Sequence, residues 1–310
     1  MRGLVLTSVS LFVCASLLWL IGKPSDRQRS KDLPEKALAL RTLHKAPPEP
    51  QDGDWIRGPG RHEQGQTYEQ WRASDPVRAV APRRVLYVVR LGAIDEARAA
   101  IVKDAATFLG VYYGLPVTWL DPVEDVSSWH ATSRRDRGGA RPQLNSRYIL
   151  ERVLAPRLPE DAAALLALTS YDLWPGDNWN FVFGQASLQA RVGVWSLARF
   201  GDPKAGEDAR LRCLLRTLKV ACHETGHMFS FAHCRAYACA MAGSNTMAET
   251  DRQPLWLCPE CLAKTWDATK VDPVTRFEAL ARQSRALGLD EEAAFYDASL
   301  ARVRAVGDAD

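Results

Sequence analysis

The chain has 310 residues, 46% of them apolar and 25% charged, with a net charge of +3. This is the make-up of a globular protein with a core of useful size, and so small a net charge argues against nucleic acid as a partner. Seven cysteines are an odd number, and four of them fall in metal-ligand spacing, which argues against a disulfide framework.

At the amino terminus Arg2 precedes an apolar run, Leu4 to Ile21. The run is long for a signal peptide and just long enough to span a bilayer. Residues 1–22 therefore read as a signal peptide or a membrane anchor, with the rest of the chain exported (periplasmic or extracellular) or tethered to a membrane through residues 4–21. A cytoplasmic protein whose start is set too far upstream is the alternative. Residues 23–82 read as a flexible linker. Pro47, Pro48, Pro50 and Gly58-Pro59-Gly60 stand among many charges with few clustered apolar residues, a composition that cannot offset the entropy of ordering. A short helix is expected near Ala37–Leu43, and Trp55 and Trp71 are expected to tuck onto the domain that follows.

That domain is expected over 83–266. Val85–Leu91 is a continuous β-branched and aromatic run, hence a buried strand. Asp95 can cap a helix reaching about Gly110, with Ile94, Ala97, Ile101, Ala105 and Phe108 at helical spacing. Further strands are expected at Pro116–Leu120 and Ala163–Thr169, a helix at Asn145–Leu154, and a polar loop at Arg134–Gly139. Asn180–Ala186 and Val192–Leu197 read as a hairpin. The order βαβαβ followed by ββ predicts an α/β fold whose mixed, mostly parallel sheet carries an antiparallel edge strand.

A long helix is expected to begin near Asp202-Pro203. Leu211, Leu214, Leu215, Leu218 and Cys222 share one narrow arc of it. His223, Glu224 and His227 fall at about 120°, 220° and 160° from Leu211, roughly opposite the leucines. One face is thus expected to grip the sheet while the other looks into a cleft. Beyond the domain, helices at Val274–Leu287 and Glu291–Val303 predict a helical hairpin over 267–310.

The chemistry is concentrated in the stretch 222–261. His223-Glu224-x-x-His227 puts two imidazoles one helical turn apart, within reach of one metal ion. His233 adds a third nitrogen past the helix end. Three protein ligands leave a coordination position open, the arrangement of a catalytic zinc. Glu224, beside the first ligand, can take a proton from a water on that zinc and return it to a leaving amine. Cys234-x4-Cys239 and Cys258-x2-Cys261 supply four thiolates, a set closed to substrate and therefore a structural zinc site. Two zinc ions per chain follow, one catalytic and one structural. Cys213 and Cys222 read as core.

HETGHMFSFAHC followed by CAM and CPEC resembles the archaemetzincins, a branch of the metzincin zinc metallopeptidases. Trp179–Gly201 and Gly243–Lys264 resemble the same family, and the likeness spans about Arg84 to Lys264. It implies a metzincin-like α+β domain with a long active-site helix and a zinc-clamped carboxy-terminal subdomain. It also implies zinc on His223, His227 and His233, Glu224 as general base and acid, a second zinc on the four cysteines, and Met241 in the Met-turn beneath the catalytic zinc. No tyrosine closely follows Met241, so a tyrosyl ligand is not expected. The family pattern has glycine where this chain has Ser230, at the turn after the helix, a place that favours positive φ.

The function expected is hydrolysis of peptide bonds in a peptide or protein substrate laid along the edge strand, Phe181–Ala186. Some archaemetzincins are described as aminopeptidases; that mode needs a carboxylate to hold the substrate amine, with Asp172 and Asp177 as candidates by position. The competing expectation is a catalytically weak or inactive zinc-binding scaffold of the same fold.

Overall fold

The computed structural model describes residues 29–30, 33–126, 133–135, 141–176 and 179–307. The apolar run at 4–21, read above as a leader, lies outside them. Among the described residues no helix is long and apolar enough to cross a membrane.

In chain order come α1 (Glu35–Ala39), α2 (Tyr68–Ala73), β1 (Val85–Leu91), α3 (Glu96–Tyr113), β2 (Val117–Trp119), β3 (Ser133–Arg135) and β4 (Pro142–Asn145). A short α4 (Ser146–Tyr148) runs on into a π-helical turn, Ile149–Leu154. Next are β5 (Ala162–Thr169), β6 (Asp172–Trp174), β7 (Gly184–Ala186), β8 (Val192–Ser196) and α5 (Glu207–Met228). The chain closes with α6 (Met247–Arg252), α7 (Pro259–Thr269), α8 (Pro273–Ala286) and α9 (Asp290–Gly307). The main sheet has five strands in the order β2-β1-β5-β8-β7. Every pair is parallel except β7 with β8, so the antiparallel strand is an outer edge, as the sequence predicts. Strand β5 is buried along its whole length, which is why its run of alanines and leucines shows no alternation.

One core layer lies between this sheet and helices α3 and α5. Phe108, Tyr112 and Tyr113 of α3 meet Cys213, Leu214, Leu218 and Cys222 of α5 there. Tyr113 donates to the carbonyl of Cys222 at 2.6 Å and fastens the back of α5. The other face of the sheet packs on Ile149, Leu150, Val153 and Leu154. A second, three-stranded sheet, β3-β4-β6, went unforeseen. Where a polar loop was expected at 134–139, residues 133–135 form β3 instead; 136–140 lie outside the described residues.

The expectation of a flexible linker over 23–82 is corrected for its described part; residues 23–28 and 31–32 lie outside the described residues. Residues 33–82 run across the carboxy-terminal half of the domain and are tied to it at separated points. Trp71 is fully buried and donates through Nε1 to the carbonyl of Phe229 at 2.9 Å. Glu260, also fully buried, accepts from the backbone and hydroxyl of Ser30 and from the Tyr68 amide at 2.6–2.8 Å. Asp54 pairs with Arg252 at 2.6 Å. Lys264 donates to the carbonyl of Gln66 at 2.6 Å, and a Thr67/Gln70 capping box starts α2. Few large side chains suffice because each enters a pocket already built by the domain. The helix expected near 37–43 is α1 and a following turn of 3-10 helix, Arg41–Leu43.

Candidate active site

Helix α5 begins at Glu207 rather than near Asp202-Pro203, behind Gly206 at φ +120°. Glu207 and Asp208 then sit in its first turn, where the helix dipole favours negative charge. Its last turn carries His223, Glu224 and His227 on the face away from the α3 contact. The helix ends where the amides of Phe229 and Phe231 turn back to the carbonyl of Gly226 at 3.0 and 3.1 Å. Ser230 makes this turn with φ +65°, a conformation that costs a residue with a Cβ about 1 kcal/mol. Its hydroxyl offsets that cost. It donates to the carbonyl of Leu188 at 2.7 Å and accepts from the amide of Val77 at 3.1 Å. The turn reverses the chain and delivers His233 to the other two histidines.

The ligand atoms of His223, His227 and His233 lie within 4.8 Å of one another. The Nε2 atoms of His223 and His227 stand 2.9 Å apart. On the far side of each ring Nδ1 faces an acceptor. His223 faces the carbonyl of Ala240 at 2.9 Å, His227 that of Phe231 at 2.6 Å, and His233 both carboxylate oxygens of Glu63 at 2.8 and 3.0 Å. An acceptor on Nδ1 puts the ring proton there and leaves Nε2 as a bare lone pair. Lone pairs so converged repel unless a cation stands between them, and nitrogen donors of this kind suit zinc. Burial lowers the pKa of His223 to about 3 and moves that of His227 the same way, with the neighbouring histidines adding to the effect. Both rings are therefore neutral and ready to ligate.

Glu224 is buried beneath a cleft of about 220 Å³ lined by these histidines, by β7 and by Trp55, Trp179, Phe181 and Phe183. Desolvation pushes its carboxyl up to about 8. The backbone of β7 sits against it: a Cβ at Gly184 would lie 2.5 Å from Oε1 of Glu224. Phe183 and Ser187 hydrogen-bond inward to β8, and the alternation of an antiparallel ladder turns the backbone groups of Gly184 and Ala186 to the cleft. Met241 is fully buried, with its sulfur against the spot where a Cβ at Gly226 would stand, between His223 and His227 in sequence. A larger residue at 226 would displace it.

The second cluster follows at once. The sulfurs of Cys234, Cys239, Cys258 and Cys261 lie within 4.8 Å of one another, all buried, and no disulfide joins them. Cys239 Sγ accepts from the amides of Met241 at 3.4 Å and Cys258 at 3.3 Å. Amides aimed at sulfur mark a place prepared for thiolate. Hydrogen bonds from the other three hold Cys234 well below the ordinary thiol value, while desolvation holds Cys258 well above it. Only a cation lets all four ionise, and four buried sulfurs in one shell fit zinc.

The remaining candidates fare differently. Asp172 is buried in a bidentate pair with Arg199 at 2.8 and 2.6 Å and accepts from Gln143. It is a structural ion pair and does not reach the cleft, while Asp177 lies outside the described residues. Cys213 and Cys222 are core, as expected. Glu63 and Trp55 went unrecognised as site residues; an acidic residue and a tryptophan in a Pro/Gly-rich stretch carry no motif, and their partners stand about 170 positions away.

Residues 162–266 match the model of peptidase family M54. Archaemetzincin-2 of Homo sapiens is 35% identical over 261 residues, covering 74% of this chain and 71% of that protein. The archaemetzincin of Thermococcus kodakarensis is 32% identical over 193 residues, covering 58% of this chain and 95% of its own length. Among solved structures, the archaemetzincin of Methanopyrus kandleri aligns at a TM-score of 0.50 and 27% identity, over 62% of this chain and 98% of that one. Fold, donor atoms and relatives together define a zinc metallopeptidase. Within that class, the chain belongs to the archaemetzincins, peptidase family M54.

Proposed function

We propose that the three histidines hold a catalytic zinc, the four cysteines a second, structural zinc, and that Glu224 is the general base and acid of peptide hydrolysis. The observation that carries the reading is the set of Nδ1 acceptors behind the three histidines, which leaves their Nε2 lone pairs aimed at one point beside Glu224. A zinc ion there supplies Lewis acidity toward a peptide carbonyl and toward water. Its charge also opposes the burial that keeps Glu224 protonated. The backbone of Gly184 and Ala186 pairs with an extended peptide and sets the scissile bond over the histidines. Glu224 then takes the proton of the attacking water and hands it to the departing amine. Met241 supports the histidine platform from below.

The cleft favours cleavage within a chain over removal of an amino-terminal residue. Among the described residues lining it, Glu224 is the one carboxylate, and it is committed to proton transfer, so none of these residues offers the substrate amine an anionic anchor. The apolar run at 4–21 supports action outside the cytoplasm or at a membrane, which fractionation of expressing cells tests.

Digestion of a peptide library, free and amino-terminally acetylated, tests the whole reading. Wild type should cut both forms with two zinc ions per chain, and Glu224→Gln should keep the zinc and lose the cutting. Equal hydrolysis by the variant would sink the catalytic assignment, and cleavage of free peptides alone would restore the aminopeptidase reading.

A further inference from the structure

We infer that Glu63 is a positioning residue of the histidine metal centre, and that the amino-terminal strap 51–66 that carries it is a working part of the peptidase. The inference rests on the three-histidine metal site proposed above.

The three histidines are not held alike. His223 and His227 stand on α5, and the acceptors behind them are neutral backbone carbonyls nearby in sequence. His233 stands on the loop beyond Ser230, and its acceptor is a carboxylate from the distant strap. The ligand with the least rigid backbone thus has the strongest orienting partner. A carboxylate on Nδ1–H fixes the tautomer and the ring angle, and makes the opposite nitrogen a better donor.

Glu63 is itself held. Trp55 donates through Nε1 to Oε2 of Glu63 at 2.9 Å, and the guanidinium of Arg235 donates to the Glu63 carbonyl. Trp55 also sets its ring edge-on against His233, with centroids 5.1 Å apart at 80°, and stacks on Trp179 at 6.1 Å. Trp179 lines the same cleft. The backbone of Trp55 is anchored to both oxygens of Glu249 at 3.0 Å, and Asp54 beside it to Arg252. A chain of direct contacts therefore runs from α6 through Trp55 and Glu63 to the third ligand. None of its hydrogen bonds goes to a sulfur of the four cysteines, which serve as an internal reference.

The test is chelator competition on the full-length zinc protein, reading zinc released per chain. Wild type should release its zinc in two phases, and His233→Ala should lack the weaker one. Glu63→Ala should move that phase alone, weakening zinc there about 10- to 100-fold. Glu63→Gln, which keeps an acceptor but loses the charge, should fall between, and Trp55→Phe should give a smaller shift in the same direction. Glu63 is partly exposed, so with zinc removed by chelator the unfolding temperature of both Glu63 variants should match that of chelated wild type. At saturating zinc the Glu63 variants should regain most of their kcat with KM unchanged. Release curves for Glu63→Ala that overlay wild type, or that move both phases together, overturn the inference. If His233→Ala leaves both phases in place, the metal reading beneath it is what fails.

Discussion

Two clusters of metal-ligating side chains adjoin at His233 and Cys234, and they are prepared in opposite ways. The histidines are backed by acceptors: two carbonyls and a carboxylate. Among the cysteines, Cys239 is approached by donors, the amides of Met241 and Cys258. Acceptors behind a ring fix its tautomer and aim its lone pair, while donors toward a sulfur stabilise the thiolate. The first cluster lies half-buried on a cleft and the second is sealed. The polarity of the groups around the ligands thus separates an open centre from a closed one without reference to any bound ion.

The strongest way to break this comparison is to remove one thiolate. Cys261→Ser should cost several kcal/mol of stability, because the loop carrying His233 is fastened by those sulfurs. Both zinc ions and all activity should go with it, whereas His223→Ala should lose one zinc and only the part of the stability that this ion contributes. Metal analysis beside calorimetry reads the asymmetry, and equal damage from the two variants would erase it. Next comes Glu224→Gln, which should lower kcat/KM by about 10²- to 10⁴-fold with metal content unchanged.

The metal-free protein sharpens the contrast through pH. Burial holds Glu224 near 8 when folded, against about 4.5 unfolded. Between those values the unfolded chain has released a proton that the folded one retains, so stability contributed by this group falls as pH rises. The slope is about 1.4 kcal/mol per pH unit at most, and it flattens above 8. Chelated wild type should therefore lose ground to chelated Glu224→Gln from pH 5 upward, measured by denaturant titration; parallel profiles would place the carboxyl in a wetter site. The smallest effect belongs to Ser230, the joint between the clusters and the helix. Ser230→Ala keeps the left-handed strain and orphans two backbone groups, at about 1–3 kcal/mol, while Ser230→Gly relieves part of that loss. The order of the two unfolding temperatures checks it.

Much of this was legible in the sequence, for reasons that differ by element. Strands β1 and β5 announce themselves as unbroken apolar runs, and α5 as a leucine stripe opposite its histidines. The two ligand sets follow from spacing, and the turn at Ser230 from a mismatch with the family pattern. The strap was half legible: Trp55 and Trp71 stood out as anchors. Its single, widely spaced anchors carry no period, so composition outweighed them. Strands β3, β4 and β6 are three or four residues long, too short for a pattern to show. Glu63 needed the fold, because only the fold brings it to His233.

The contact between Gly184 and Glu224 gives the edge strand a second task. Strand and carboxylate share one space, and a Cβ at position 184 would stand 2.5 Å from Oε1 of Glu224, so a methyl group there has to push the carboxylate aside. The strand proposed to hold the peptide thus also fixes where the proposed proton carrier stands, through a residue about forty positions before the histidines that binds no metal.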